Sequence, residues 1–219
     1  MEKYGTIPPK FTKEWWEYFW TYYKFHTIVA VVIVGLIIYT VHAVRSTVEY
    51  DLTVYMIAQN EHPSDESMKK LEDKLNLLSE DVNKNGKVQT TTNVDVYSGD
   101  TNIAYIQYAN SMTQTTKFIA EATNADNQIY IVDRATADIL ISYGCMLPVV
   151  GWADGVDTLD IYKDYFLSLY QNPVFTSWGF DDKNLYMGIL VPSEDTKDYE
   201  LKMRMYENAK KVANQLIKE

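Results

Sequence analysis

The chain has 219 residues, with 30 acidic and 20 basic side chains, a formal net charge of −10 and one cysteine, Cys145. So negative a chain is a poor partner for nucleic acid or anionic headgroups, and a lone cysteine rules out an intrachain disulfide, leaving the fold to rest on its core. The missing bridges suit a Gram-positive type of cell surface better than a disulfide-rich secretome.

Met1 to Lys10 contains Gly5, Pro8 and Pro9, which oppose helix and predict a short flexible start. From Phe11 to Phe25 the run FTKEWWEYFWTYYKF places Thr12 as an N-cap and Glu14 and Glu17 in the first turns. Trp and Tyr rings favour the headgroup zone, so this stretch predicts a cytoplasmic interfacial helix in which Trp15, Trp16, Trp20, Tyr22 and Tyr23 set the depth of insertion. A docking surface for another membrane protein is the alternative use of the same face.

Thr27 to Val44, TIVAVVIVGLIIYTVHAV, carries no acid or base. It predicts a transmembrane helix, rising roughly 27 Å and completed by Phe25 and His26 against a hydrocarbon core about 30 Å thick. His42 is expected to snorkel to the far interface, where Arg45 follows. Gly35 has Val31 and Tyr39 four residues away, so no GxxxG seam is visible. Lys3, Lys10, Lys13 and Lys24 precede the helix and only Arg45 closely follows it, which predicts a cytoplasmic N-terminus and an external C-terminal part. A cleaved signal peptide and a buried helix of a soluble protein are the competing readings; the long aromatic lead-in and bulky exit argue for a retained anchor. The expected divisions are residues 1–25 as tail and interfacial helix, 26–45 as the transmembrane helix and 46–219 as one extracytoplasmic domain.

In that domain DLTVYMIA is apolar on both faces, with Leu52, Val54, Met56 and Ala58 on one and Tyr55 and Ile57 on the other, which predicts a strand covered on both sides. His62 to Asp65 reads as turn and cap, and Met68, Leu71, Leu75 and Leu78 recur at helical spacing. Asp81 to Lys87 reads as a turn, followed by a second strand, KVQTTTNVDVY, with Val88, Val94 and Val96 on one face. Asp100 is expected to cap a helix through Ile103, Tyr105, Ile106, Ala109, Met112, Phe118, Ile119 and Ala122, with a break at Thr113 to Thr116. QIYIVD reads as a central parallel strand, Ala135 to Tyr143 as a helix ended by Gly144, and Ile161 to Tyr170 as a helical piece. NLYMGILV predicts a last strand, and Tyr199 to Lys218 a last helix with Leu201, Met205, Ala209, Val212 and Leu216 on one face. Alternating strands and helices predict an α/β domain with a mostly parallel sheet.

The passage NQIYIVDRATADILISYGCMLPV, followed by NLYMGILVP and a closing helix, resembles the extracellular type 2 solute-binding proteins. In that pattern a strand, here Ile129 to Val132, precedes a helix ended by Gly144, after which Leu147 and Pro148 open a crossing segment. The resemblance implies a truncated solute-binding-protein lobe, since there is room for about one of that family's two lobes. Anchor and aromatic lead-in resemble uncharacterised single-pass membrane proteins of Gram-positive bacteria.

Catalytic chemistry finds little support. His62 is the only histidine outside the membrane region and sits in a turn, and Cys145 reads as a small buried hydrophobe. Neither GxGxxG nor GxxxxGK[ST] occurs, and no cofactor is expected. Asp81, Asn83 and Asn85 followed by Gly86 reproduce the start of a calcium-binding EF-hand loop, but position 12 falls on Thr92 within the expected strand, and an Asn-Gly turn explains the same residues. Asp154, Asp157 and Asp160 near Trp152, and Asp181 and Asp182 near Trp178, are the acidic clusters that a sugar hydrolase would need. The expected function is a non-enzymatic, membrane-anchored extracytoplasmic binding or interaction module, such as an accessory subunit of a membrane complex or transporter. Its partners would be the lipid bilayer, another membrane or envelope protein and a small-molecule ligand; a cell-envelope hydrolase using acidic residues is the alternative.

Overall fold

The computed structural model describes residues 8–46, 48–59, 62–97, 119–155, 159–180 and 182–218. The chain divides into two compact units, Met1–Val48 and Glu49–Glu219. In the first, Thr12 Oγ1 accepts the Trp15 N–H at 3.2 Å and opens a single helix, α1, Lys13–Ser46. The aromatic lead-in and the apolar stretch therefore share one unbroken helix of 34 residues, which includes Arg45 in its last turns. Along it Ile28, Val31, Leu36 and Tyr39 are all more than half exposed. Its segment Lys13–His42 is long and apolar enough to cross a membrane, a property that a signal sequence shares.

The second unit is a mixed sheet between two layers of helices. β1 (Leu52–Gln59) leads through α2 (Asp65–Leu78) to β2 (Thr90–Tyr97), and β3 (Ile129–Val132) leads into α3 (Arg134–Ser142). A 3-10 turn at Val149–Gly151, β4 (Ile161–Tyr162), β5 (Phe166–Ser168), α4 (Pro173–Ser177), β6 (Tyr186–Ile189) and α5 (Tyr199–Leu216) complete it. The strand order is β2-β1-β3-β6-β5-β4. β2, β1 and β3 run parallel, and each later neighbour is antiparallel. The expectation of a mostly parallel sheet thus holds for its core and is corrected for the other half, where β6, β5 and β4 pair antiparallel and only β4 and β5 are joined by a tight turn.

β1 is buried on both faces, as its composition implies. Leu52, Val54 and Met56 join Met68, Leu71 and Leu75 of α2 and Ala209, Val212 and Leu216 of α5 in one cluster. Tyr55 and Ile57 join Tyr130, Val132, Ala137 and Leu140 in the other. Ser64 caps α2 by accepting the Ser67 N–H at 3.1 Å, and Gly144 leaves α3 at φ +66°, where a side chain would be strained. Val94 packs beside the first cluster, whereas Val88 precedes β2 and is exposed, as is Val96.

The helix expected from Ile161 to Tyr170 is instead a hairpin. Lys163 and Asp164 both take positive φ, 48° and 69°, and the Tyr165 N–H closes on the Tyr162 carbonyl at 3.2 Å. Two consecutive left-handed residues are the primed-turn geometry that suits the twist of a hairpin, here without the usual glycine. Phe166 and Leu167 then point to opposite clusters, so an apolar spacing that also fits a helix is used at period two. Residues 119–123 are helical, while Asp100, Ile103, Tyr105, Ile106, Ala109, Met112, Thr113 to Thr116 and Phe118 lie outside the described residues.

Candidate functional site

The helices that follow β1 and β3 pack on opposite faces of the sheet: α2 packs with the first cluster, and α3, through Ala137 and Leu140, with the second. The carboxyl ends of β1 and β3 therefore form a topological switch point, the place where open α/β sheets bind ligands. At the end of β3 the buried Asp133 accepts the Thr136 N–H at 2.8 Å and caps α3, whose first residue is Arg134. The Arg134 guanidinium lies 4.7 Å from the centre of the Tyr162 ring, and the Tyr186 ring lies 5.3 Å from it on centroids. Tyr162 Oη donates to Asp138 Oδ1 at 2.7 Å, and Lys163 Nζ donates to the same oxygen at 2.8 Å. Partial burial resists ionisation of Asp138, but the hydrogen bonds from Lys163 and Tyr162 outweigh it and hold the carboxyl below the ordinary carboxylate range. The result is a rim of two cations, one carboxylate and two phenol rings that ties the hairpin to α3.

None of these rim residues stood out in the sequence. Arg134 and Asp138 are one helical turn apart, but Tyr162, Lys163 and Tyr186 arrive from strands whose pairing no local pattern announces. Asp133 was legible only as part of a strand followed by a helix.

Compared with protein-family models, curated proteins and solved structures, the chain matches none. Its chemistry must be read from its own geometry.

The loop Asp81 to Lys87 uses its polar side chains internally. Asp81 Oδ2 accepts the Gly86 N–H at 2.8 Å and Oδ1 the Asn85 N–H at 3.1 Å. Asn83 Oδ1 accepts Asn85 N–H and Asn85 Oδ1 accepts Lys87 N–H, each at 2.9 Å. Gly86 has φ +83° and Lys84 +60°. These bonds give each calcium candidate a part in forming the turn. Among the described residues no three His, Cys, Asp or Glu side chains gather as a metal set.

Among the described residues, Asp154, Asp160 and Asp182 are not gathered into one acidic group. Trp152 is buried in the first cluster, and Trp178 lies 5.5 Å from Phe175 on centroids. Asp154 accepts from Asn214 and Lys218, which hold its carboxyl below the ordinary range, and Asp182 accepts the Asn184 N–H at 2.9 Å. Asp157 and Asp181 lie outside the described residues, and Asp160 sits just before β4. His62 is exposed, its Nδ1 2.8 Å from the Pro63 carbonyl oxygen.

Cys145 lines an apolar cavity of about 210 Å³ with Ile119, Ala122, Tyr143 and Val191. That is smaller than the roughly 300 Å³ at which ligand sites begin. A groove of about 410 Å³ between the Glu80–Lys84 loop and α5 is larger; of its lining charges, Glu80 pairs with Lys211 at 3.0 Å and Glu207 pairs with the neighbouring Lys210 at 3.1 Å.

Phe11, just before α1, and Trp15, Phe19 and Tyr23 on it form a ladder with successive centroids 5.6, 5.4 and 5.7 Å apart. Trp16 and Trp20 are more than half exposed, and Tyr22 and Tyr23 slightly less so. His42 is exposed near the other end.

Proposed function

We propose that the protein is a single-pass membrane protein whose external α/β domain is a binding or interaction module, an accessory subunit held to a membrane complex by its aromatic lead-in. The observation that carries this reading is the unbroken course of α1 from Lys13 to Ser46. A helix of that length rises about 51 Å, against roughly 30 Å of hydrocarbon and about 40–45 Å with both headgroup layers. The part from Lys13 to Phe25 rises about 20 Å, and even at the largest usual tilt of about 40° it spans about 15 Å of depth. One headgroup layer takes up only about 5–8 Å of this. Trp15 and Trp16 therefore stand beyond the lipid, and Trp16, more than half exposed, offers an aromatic face of the kind that marks a protein contact. The depth-setting belt reduces to Trp20, Tyr22 and Tyr23.

The rim at Arg134, Tyr162 and Tyr186 supports the ligand-binding half of the proposal, because it combines a cation and aromatic faces beside the carboxyl end of β3. With Cys145 replaced by Ser, a cysteine at Lys197 should react with a membrane-impermeant reagent in intact cells and one at Lys10 should not. A photo-crosslinking residue at Trp16 should capture a membrane protein, whereas one at Tyr39 should capture lipid. Lipid adducts alone at Trp16, or labelling at Lys10 only, would overturn the docking role or the orientation respectively.

A further inference from the structure

The two edges of the sheet are treated differently. β4 is only two residues long, a common way of blunting an edge. β2 is eight residues long, and its register with β1 runs unbroken from Leu52↔Thr90 to Gln59↔Tyr97. It holds no Lys, Arg or Pro, and Asp95 is its one charge. Bulges, cations and prolines, the usual protections of an exposed edge, are all missing.

The direction of its backbone groups follows from its start. Gln89 faces β1, donating to Asp51 Oδ2 and accepting the Asp51 N–H. The next residue must face away, and the Thr90 N–H is indeed met by the Asn76 side chain at 3.0 Å. By the alternation of a strand, Thr92, Val94 and Val96 also turn their N–H and C=O groups outward. Among the described residues these groups have no hydrogen-bond partner.

We infer that β2 pairs antiparallel with β2 of a second copy, on a two-fold axis through Val94. The free groups select this register. Centred on Val94, outward residues meet outward residues, Val94 with Val94 and Thr92 with Val96, and Asp95 lies opposite Asn93. An axis through Asp95 would set two carboxylates face to face, which is destabilising. An axis through Thr92 or Asn93 would need the Thr90 groups, whose N–H is already taken by Asn76. The pairing also covers Val96, 41% exposed in the single chain. It rests on the external unit alone and stands apart from the docking role of α1.

The test uses the full chain in detergent or nanodiscs. Light scattering should give the mass of two copies. Val94→Pro removes an N–H that faces away from β1, so it spares the β1 pairing and should give a single-copy mass with the thermal melt retained. Val96→Lys, at a half-exposed position, should do the same. With Cys145→Ser throughout, an Asn93→Cys chain mixed with an Asp95→Cys chain should form a mixed disulfide on oxidation, because residues opposed in a non-hydrogen-bonded pair lie about 4.5 Å apart on Cα. A single-copy mass for the unaltered chain, or a two-copy mass that survives both substitutions, would overturn the proposal.

Discussion

Asp51 and Gln89 hold each other twice: the Gln89 N–H donates to Asp51 Oδ2 at 2.9 Å, and the Asp51 N–H donates to the Gln89 carbonyl at 2.7 Å. Asp51 is fully buried, and its other carboxylate oxygen accepts the N–H groups of Val82 and Asn83 at 2.8 and 3.1 Å. Its carbonyl accepts Asn208 Nδ2 of α5, whose Oδ1 accepts the Glu80 N–H. One residue thus fastens the turn after α2 and the entry to β2 through its side chain and the last helix through its carbonyl. Asp51→Ala leaves three backbone donors without an acceptor, each costing about 1–3 kcal/mol if water does not reach it. A loss of about 3 kcal/mol or more is expected in denaturant titration. Asp51→Asn, which keeps one acceptor oxygen, should lose less.

The turn at Asp81 to Gly86 separates two uses of the same residues. A Cβ on Gly86 would meet nothing within 4 Å, so Gly86→Ala carries only the backbone strain of φ +83°, about 1 kcal/mol. Calcium at about 1 mM, where weak extracellular sites begin to fill, should leave the melting temperature unchanged. A rise abolished by Asp81→Ala would establish a metal site there instead.

Asp138 should show its ion pair in the pH dependence of stability. Its folded pKa lies below the unfolded value of about 3.9, so the contribution is present above that pH and is lost as pH falls through the depressed folded value. Both partners are around half exposed, so the difference between the wild type and Asp138→Asn should stay within about 1 kcal/mol at neutral pH. That difference should shrink toward zero as the pH falls through the depressed folded value in melts taken across the acid range. A constant difference would mean that Asp138 acts through packing.

Cys145 is expected to be inert. Burial pushes its thiol pKa up, and its Sγ lies 3.8 Å from the Leu140 carbonyl oxygen. The thiolate is the reactive form, so alkylation by iodoacetamide at mild alkaline pH should be several-fold slower in the folded protein than in denaturant. Equal rates would show a thiol available for chemistry.

The signals that the sequence carries by itself are local. α1 is announced by an uncharged run longer than any core helix needs, β1 by apolar residues at both parities, and α2 and α5 by their helical spacing. Each signal is a period or a length within one segment. The tertiary structure alone decided whatever depends on a partner distant in sequence. Ile161 to Tyr170 carries a spacing that suits either helix or hairpin, and the sheet edge offered by β6 selects the hairpin. β6 itself reads as a strand from its sequence, but its direction against β3 is set by how the chain returns. Asp51 looks like any acid at the start of a strand until Val82, Gln89 and Asn208 converge on it, and Arg134 joins Tyr162 only because β4 folds back beside α3. A single residue carries no record of such meetings, since its hydrogen-bonding capacity is the same whichever distant group satisfies it.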